Sequence, residues 1–568
     1  MARLTQVSRL THDPGLSEWP TWSPDGSLLA FTSNRGGNFD IYVRRVDGGQ
    51  EVNVTNDPAE DFQPAFSPDG KSLAFISTRS SRTGMIKIGG NLSYEFRTFG
   101  GDLWVIPALG GQARRLAQDA NSPAWSPDGT RIAYVSGLEA HRSILEIAAD
   151  GGEPKALLPG ASSSWEITSL QYFAGGTWFC FAASDPELVM LMPMAGGKPH
   201  EVVKGSYPAW DGASHRLYFV NRDLRGGTRL QVVEMEEAGG RPRGAPRTFG
   251  LMTGILRDLA LPRDGRHIAV SELEGAMNLT ILPLTPDGGS SAGPEVALSK
   301  GQVLDRRPEF SPDGKRIAYT SDRLGKQEPW ILDFDSRSLE RIQLPGEDLG
   351  TVELQWFPDG RQIMIRRMVE DPTGLTSPIW MTALDGSHSE EILARHSGRG
   401  EIKLSPDGRR LAYMDLAQNE IQLFLLDLAS RKPRQLTSLP GDKADPVFSP
   451  DGRFIAFTSD ATGTRQAYRI PSGGGEPQLL TSGNERMRHL FFSPDGRWLY
   501  VQPSHRNIWR LPAPGGPLQM VTRFPESGLF LEEPAISPDG RNLAYSRDNS
   551  TASLWLLTLE TGASKSPR

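Results

Sequence analysis

The sequence predicts an all-β fold of two tandem six-bladed β-propellers, twelve four-stranded blades in all. Three observations predict it. The tetrapeptide Ser-Pro-Asp-Gly keeps recurring, strand-like runs flank each copy, and the copies are spaced at about the length of a propeller blade. Intact copies begin at Ser23, Ser67, Ser126, Ser311, Ser405, Ser449, Ser493 and Ser537. Altered copies stand at Phe357-Pro358-Asp359-Gly360, Pro262-Arg263-Asp264-Gly265, Trp210-Asp211-Gly212 and Ala174-Gly175-Gly176. Between glycines the first step is 44 residues and the last three are again 44, with extremes of 36 and 59.

The turn chemistry gives the motif its place. Proline presets φ at the first central position, aspartate suits the second, and glycine takes the left-handed conformation that closes a bulged hairpin. Gly26, Gly70, Gly129, Gly314, Gly360, Gly408, Gly452, Gly496 and Gly540 are therefore read as structural turn residues. In the first blade, residues 19–22 form the innermost strand and 28–33 the second. Asn34-Arg35-Gly36-Gly37-Asn38 turns the chain into a third strand over 39–46, and Asp47-Gly48-Gly49 leads to a fourth over 50–55. These runs are rich in β-branched and aromatic residues and stop at Gly, Asn or Asp. One such sheet cannot bury both faces alone. Stacking neighbours around an axis buries them, and closing the ring removes the exposed edges.

Twelve blades exceed the ~4–8 usual for one ring, so two rings of six are expected. The sequence places them at 1–289 and 290–568, with a Gly/Ser/Pro-rich join near 287–293. Each half opens with an isolated strand, 7–11 and 294–298, expected to close the last blade of its own ring. The third strands of those last blades are read at 279–284 and 554–559.

The repeated pattern Pro-x-Trp/Phe-Ser-Pro-Asp-Gly, apolar strand, Ser-x-Arg-x-Gly, Ile-Tyr-Val, Asp-Gly-Gly, Leu-Thr resembles the TolB-like, WD-repeat-like propeller repeats over essentially the whole chain. The opening Leu10–Gly26 segment and the stretch from Val105 to Leu116 are closer still to propellers appended to bacterial winged-helix regulators and serine/threonine kinases. That resemblance implies a sensory or interaction module. The chain departs from those proteins in having no kinase or winged-helix pattern, and from TolB in having no N-terminal TolB domain. A fold shared this widely does not set the role.

Composition narrows the classes. A net charge of −7 argues against broad nucleic-acid binding. The single cysteine, Cys180, rules out an internal disulfide framework and reads as a small core residue. No apolar run approaches the ~18 residues of a membrane helix, and Met1-Ala2-Arg3-Leu4-Thr5 opens no signal peptide. A cytoplasmic monomer without membrane insertion is expected, with the periplasm as the alternative if sequence precedes Met1.

Catalytic motifs are sparse. Gly289-Ser290-Ser291-Ala292-Gly293 matches the Gly-x-Ser-x-Gly elbow formally, but no helical pattern follows it. None of the nine histidines forms a His-x-x-x-His pair, so a helix-borne metal site is unsupported. The expectation is a non-catalytic scaffold without cofactor or metal, binding a protein, peptide or small ligand on its loop face or in its channel. The alternative is a propeller-based lyase or hydrolase with its site in a central channel, to which three or more of His12, His141, His215 and His267 would converge. The candidate binding residues are His12, Trp19, Asp57, Asp61, Phe62, Tyr94, Phe96, Phe99 and Arg486. Tyr94, Phe96 and Phe99 belong to the largest insertion, 80–101, where aromatics beside Arg82, Lys87 and Arg97 suit either a contact patch or a β-hairpin extension that buries its aromatics against its own blade.

Overall fold

A computed structural model describes residues 2–561 apart from 14, 80–84, 89–95, 137–142, 159–165, 185–186, 195–196, 223–227, 237–239, 253, 302, 325, 345–349, 372–373, 395–400, 419, 484–485, 504–506 and 525–530. Among the described residues the regular elements are β-strands, with one three-residue 3-10 turn at Ala174–Gly176.

The Ser-Pro-Asp-Gly turn explains each of its letters. The Gly26 N–H donates to the Ser23 carbonyl at 2.9 Å, and Gly26 sits at φ +72°. The Ser23 hydroxyl donates to Asp25 Oδ1 at 2.5 Å and accepts from the Leu28 N–H at 2.9 Å. Asp25 Oδ1 also accepts from the Ser27 N–H at 3.1 Å. These bonds, the Ser23 hydroxyl first, hold the Asp25 carboxyl down at about 2. The same bonds recur at Ser126 with Asp128 and at Ser493 with Asp495.

Proline acts between blades. A Cβ built on Gly70 would lie 3.3 Å from Pro24, and one on Gly408 would lie 3.0 Å from Pro358. Turns that keep their proline thus pack it beneath the glycine of the next, whereas Gly265 meets Asp211 instead. The series closes twice: Gly26 meets Pro262 at 3.6 Å, and Gly314 meets Pro538 at 3.6 Å. The Trp of the motif is a second link. The indole N–H of Trp22 donates to the Ala260 carbonyl, that of Trp125 to Ala65 and that of Trp356 to Glu309, each at 3.0 Å.

Two rings result. In the first, the innermost strands are Ser17–Trp22, Asp61–Phe66, Arg114–Trp125, Glu166–Phe173, Ser206–Asp211 and Ile255–Ala260, and each touches the next, the last touching the first. Arg114–Trp125 does double duty. Its first part pairs with Gly101–Pro107 as an outermost strand, and its second part pairs with Arg131–Ser136 as the innermost strand of the next blade. The second ring runs through Arg306–Phe310, Gly350–Trp356, Ile402–Leu404, Lys443–Phe448, Arg488–Phe492 and Leu531–Ile536, again closed. Apolar side chains from facing sheets fill the gaps between blades, with Phe31, Tyr134, Phe179, Tyr218, Tyr319 and Tyr500 fully buried.

The closure departs from the expectation. Met277–Pro283 does not complete the first ring; it pairs with Asn542–Asp548 of the second. Thr551–Thr561 does not complete the second; it lies between His267–Glu274 and Ala2–Arg9 in the first. Only the outer strands, Ala2–Arg9 and Val296–Ala297, fall in the rings expected of them. The units are accordingly Met1–Glu274 with Ser550–Arg568, and Gly275–Pro525 with Leu529–Asn549, not 1–289 and 290–568. The physical reason is that the two third strands are interchangeable in pattern. Each follows its second strand by a two-residue link, Gly275-Ala276 or Asn549-Ser550, and a link says nothing about which edge is free.

Candidate functional site

An innermost strand has a paired neighbour on one side only, so its other edge borders the channel and its polar backbone groups need partners. Both rings meet this in the same way. A bulge in the innermost strand sets one residue in the left-handed region: Trp19, Gln63, Ser122, Ser169, Tyr207 and Asp258 in the first ring, at φ +49° to +55°. In the second ring Arg307, Asp445, His489 and Glu533 do the same, at φ +48° to +57°. Such bulges re-aim a side chain. Here those side chains and their neighbours also satisfy the adjoining blade. The Ser122 N–H donates to Gln63 Oε1 at 2.8 Å, the Arg307 N–H to Glu533 Oε2 at 3.0 Å and the Leu404 N–H to Gln355 Oε1 at 2.6 Å.

The first ring encloses a channel of about 480 Å³, lined by the innermost strands of all six blades. Its bulge positions are mostly neutral: an indole, an amide, two hydroxyls, a phenol and one carboxyl. Among the described lining residues the charged ones are Arg257, Asp258 and Arg263, all of the last blade, and the first two lie at the seam with the first blade. There Arg257 and Glu18 pair at 3.0 Å with side chains 7% and 1% exposed. Beside them, burial and then the Glu18 charge push the Asp258 carboxyl up to about 7. The Ser271 hydroxyl donates to it at 3.3 Å.

The second ring carries ionisable groups at the corresponding places. Arg307 pairs with Glu533 at 3.0 Å, Arg366 with Glu353 at 3.3 Å, and Lys403 with Glu309 at 3.9 Å. From three successive blades, one donor atom each of Glu401, Asp445 and His489 lie within 4.8 Å of one another. Burial, with Asp445 and then Glu353 adding to it, pushes the Glu401 carboxyl up to about 8. Motif spacing missed this group, yet the sequence contains its signal. Positions 401, 445 and 489 are 44 residues apart, one blade step each. In a propeller, residues that converge on the axis are spaced by the repeat, not by a helical turn.

The sequence-derived candidates scatter. Trp19 lines the first channel, its ring 6.3 Å from that of Phe62. Phe62 itself is fully buried and packs in the core, so it offers no contact surface. Asp61 is likewise buried and pairs with Arg79 at 2.6 Å; burial pushes its carboxyl up to about 6. Arg79 also reaches Asp57 at 3.3 Å, so both carboxylates anchor a turn. His12 is exposed just ahead of the first blade, and Arg486 lies just ahead of Arg488–Phe492 in the second ring. Tyr94 lies outside the described residues. Phe96 and Phe99 end a strand, Phe96–Phe99, paired with Met85–Ile88, so the insertion contains a β-hairpin. His141 also lies outside the described residues, and the other histidines expected to converge do not: His267 pairs with Asp264 at 2.7 Å, and the group of metal-type donors found among the described residues contains His489 instead. Gly289–Gly293 is part of a turn in which the Thr285 N–H donates to the Ser290 carbonyl at 2.9 Å, not a strand-to-helix elbow.

The family profile described as the TolB beta propeller domain matches residues 3–93 and 373–567, half of the chain. The chain belongs to the TolB β-propeller family. This TolB-family chain is 35% identical over 148 residues to a protein TolB homolog of Chlorobium luteolum, covering 26% of this chain and 31% of that one. It is 24% identical over 298 residues to dipeptidyl-peptidase 5 of Porphyromonas gingivalis, covering 47% and 40%. The alignments span less than half the length of these curated relatives. Among solved structures, TolB from Acinetobacter baumannii aligns with a TM-score of 0.33 and 15% identity, over 59% of this chain and 82% of that one. Among the described residues, no helix of this TolB-family protein is long and apolar enough to cross a membrane.

Proposed function

We propose that this TolB-family chain is a non-catalytic binding scaffold, a sensory or interaction module that takes a peptide segment of a partner protein or a small ligand in the channel of its first ring. The observation that carries this reading is the channel itself, about 480 Å³ and bordered by all six innermost strands. Pockets of that size with apolar walls and a few convergent polar groups suit a ligand. Trp19 and Tyr207 supply aromatic faces there, and Gln63, Ser122 and Ser169 supply neutral hydrogen-bonding groups. The likeness to propellers appended to regulators and kinases points the same way. The protein acts as a monomer in the cytoplasm on this reading, which sedimentation and fractionation check.

Affinity capture with the intact chain, read by mass spectrometry, tests it beside two variants, Trp19→Ala/Tyr207→Ala and Tyr94→Ala/Phe96→Ala/Phe99→Ala. A partner lost only with the channel variant supports the channel. One lost only with the insertion variant moves the site to the loop face. No partner, together with no ligand-induced shift in melting across a small-molecule panel, overturns the reading.

A second reading, an enzyme with its site in a channel, is favoured by one observation: the relative named dipeptidyl-peptidase 5 aligns over 298 residues. Release of dipeptides from a peptide library by the purified chain would establish it.

A further inference from the structure

We propose that Glu401, Asp445 and His489 bind one divalent transition-metal ion of the zinc class in the channel of the second ring. The inference is independent of the ligand assigned to the first ring.

The donor set comes first. One imidazole and two carboxylates suit zinc and its first-row neighbours, whereas calcium takes six to eight oxygens. Their donor atoms already lie within 4.8 Å of one another. An ion ~2.1 Å from each ligand in tetrahedral geometry needs donors about 3.4 Å apart, so rotations moving each tip by roughly 1 Å complete the site.

The frame is rigid. Asp445 and His489 stand on the bulges of neighbouring innermost strands, and Glu401 immediately precedes the innermost strand Ile402–Leu404. The buried Thr458 hydroxyl donates to Asp445 Oδ2 at 2.7 Å, which fixes that carboxylate and leaves its other oxygen for an ion. Supporting hydrogen bonds of this kind orient metal ligands.

Charge bears on the site as well. Around the same channel Glu309, Glu353 and Glu533 each have a Lys or Arg within 4.0 Å. Lys403 and Arg307 act on Glu401 and Arg488 on Asp445 without an ion pair of that length among the described residues, and His489 Nε2 lies 3.9 Å from Glu532. An ion held between the three groups would be a direct counter-charge for Glu401 and Asp445, which otherwise have only these cations farther off. Three protein donors leave a coordination position for water or a further ligand.

The test uses the untagged full chain, stripped with EDTA and titrated with Co²⁺ and then Zn²⁺. Cobalt absorption in the visible and metal content per chain are the readouts. The expected result is about one ion per chain, with Asp445→Asn, Glu401→Gln and His489→Ala each weakening affinity by about 10–100-fold or more. His388→Ala, at an exposed position in the same ring, leaves the titration unchanged. The near-isosteric His489→Gln, checked for native circular dichroism, stands in if His489→Ala does not fold. Failure of the stripped parent to bind either ion, or unchanged affinity in a folded His489 variant, overturns the proposal.

Discussion

The two channels are built on the same backbone and lined by opposite chemistry. Trp19, Gln63, Ser122, Ser169, Tyr207 and Asp258 occupy the bulge positions of the first ring, while Arg307, Asp445, His489 and Glu533 occupy them in the second. Even the seam between first and last blades is reversed. In the first ring the first blade supplies the carboxylate, Glu18, and the last blade the arginine, Arg257. In the second ring the first blade supplies Arg306 and Arg307, and the last blade supplies Glu533. One residue per blade therefore rewrites a channel without touching the sheets behind it. The turns, the interblade prolines and the cores stay common to both.

The sharpest way to break the symmetry is at the seam. Arg257→Ala leaves Glu18 buried without its cation and should cost about 3–5 kcal/mol, read as a lower urea midpoint for the first ring. Glu18→Gln/Arg257→Met should recover much of that loss. Next come the turns, where a β-branched residue is forced into the left-handed region. Gly26→Val should cost about 1–2 kcal/mol. Gly408→Val should cost more, because its Cβ would also meet Pro358 at 3.0 Å rather than a proline at 3.6 Å. Equal losses at the two sites would count against the interblade packing.

A smaller effect in the first channel is read by pH. Asp258 is raised from its ordinary 3.8 to about 7, so its ionisation opposes folding. The penalty is absent below about pH 4, grows as pH rises, and is complete above about 7. Asp258→Asn should therefore match the parent in acid and exceed it by on the order of 1–2 kcal/mol at pH 8, less than the full shift implies because the group borders an open cavity. Melts that run parallel at both pH values would refute the assignment. The smallest effect is one the rings share. Trp22→Phe and Trp356→Phe each remove an indole bond to the preceding blade, and each should cost about 1 kcal/mol. A large difference between them would show that the rings rely on the interblade link unequally.

Most of the architecture was legible because it is local. Proline, aspartate and glycine dictate a turn wherever they fall, and the serine that accepts the Leu28 N–H repeats its bond in later copies. What local pattern cannot encode is which distant edge a strand will join. Met277–Pro283 and Thr551–Thr561 carry equivalent apolar runs, and their exchange depends on the whole fold. The candidate residues could not be sorted into core and channel for a related reason. Phe62 and Trp19 occupy successive positions of one repeat, yet one is swallowed by the core and the other borders the channel. The bulge between them, which shifts the register by a residue, leaves no letter in the sequence. The Glu401, Asp445 and His489 group was visible in principle, but only with the blade step as the ruler.

Synthesis gives the exchanged strands a meaning in time. The second ring has all its strands once residue 548 has been made, since its last blade joins Asn542–Asp548 to Met277–Pro283. The first ring must wait for Thr551–Thr561, which pairs with His267–Glu274. At ribosomal speeds of ~5–20 residues per second, the edge of His267–Glu274 stays open for roughly 14 to 55 s. An open strand edge invites wrong pairing for as long as it lasts. The ring written first is finished last, and a chain that stops at Asn549 would carry one complete ring and one left ajar.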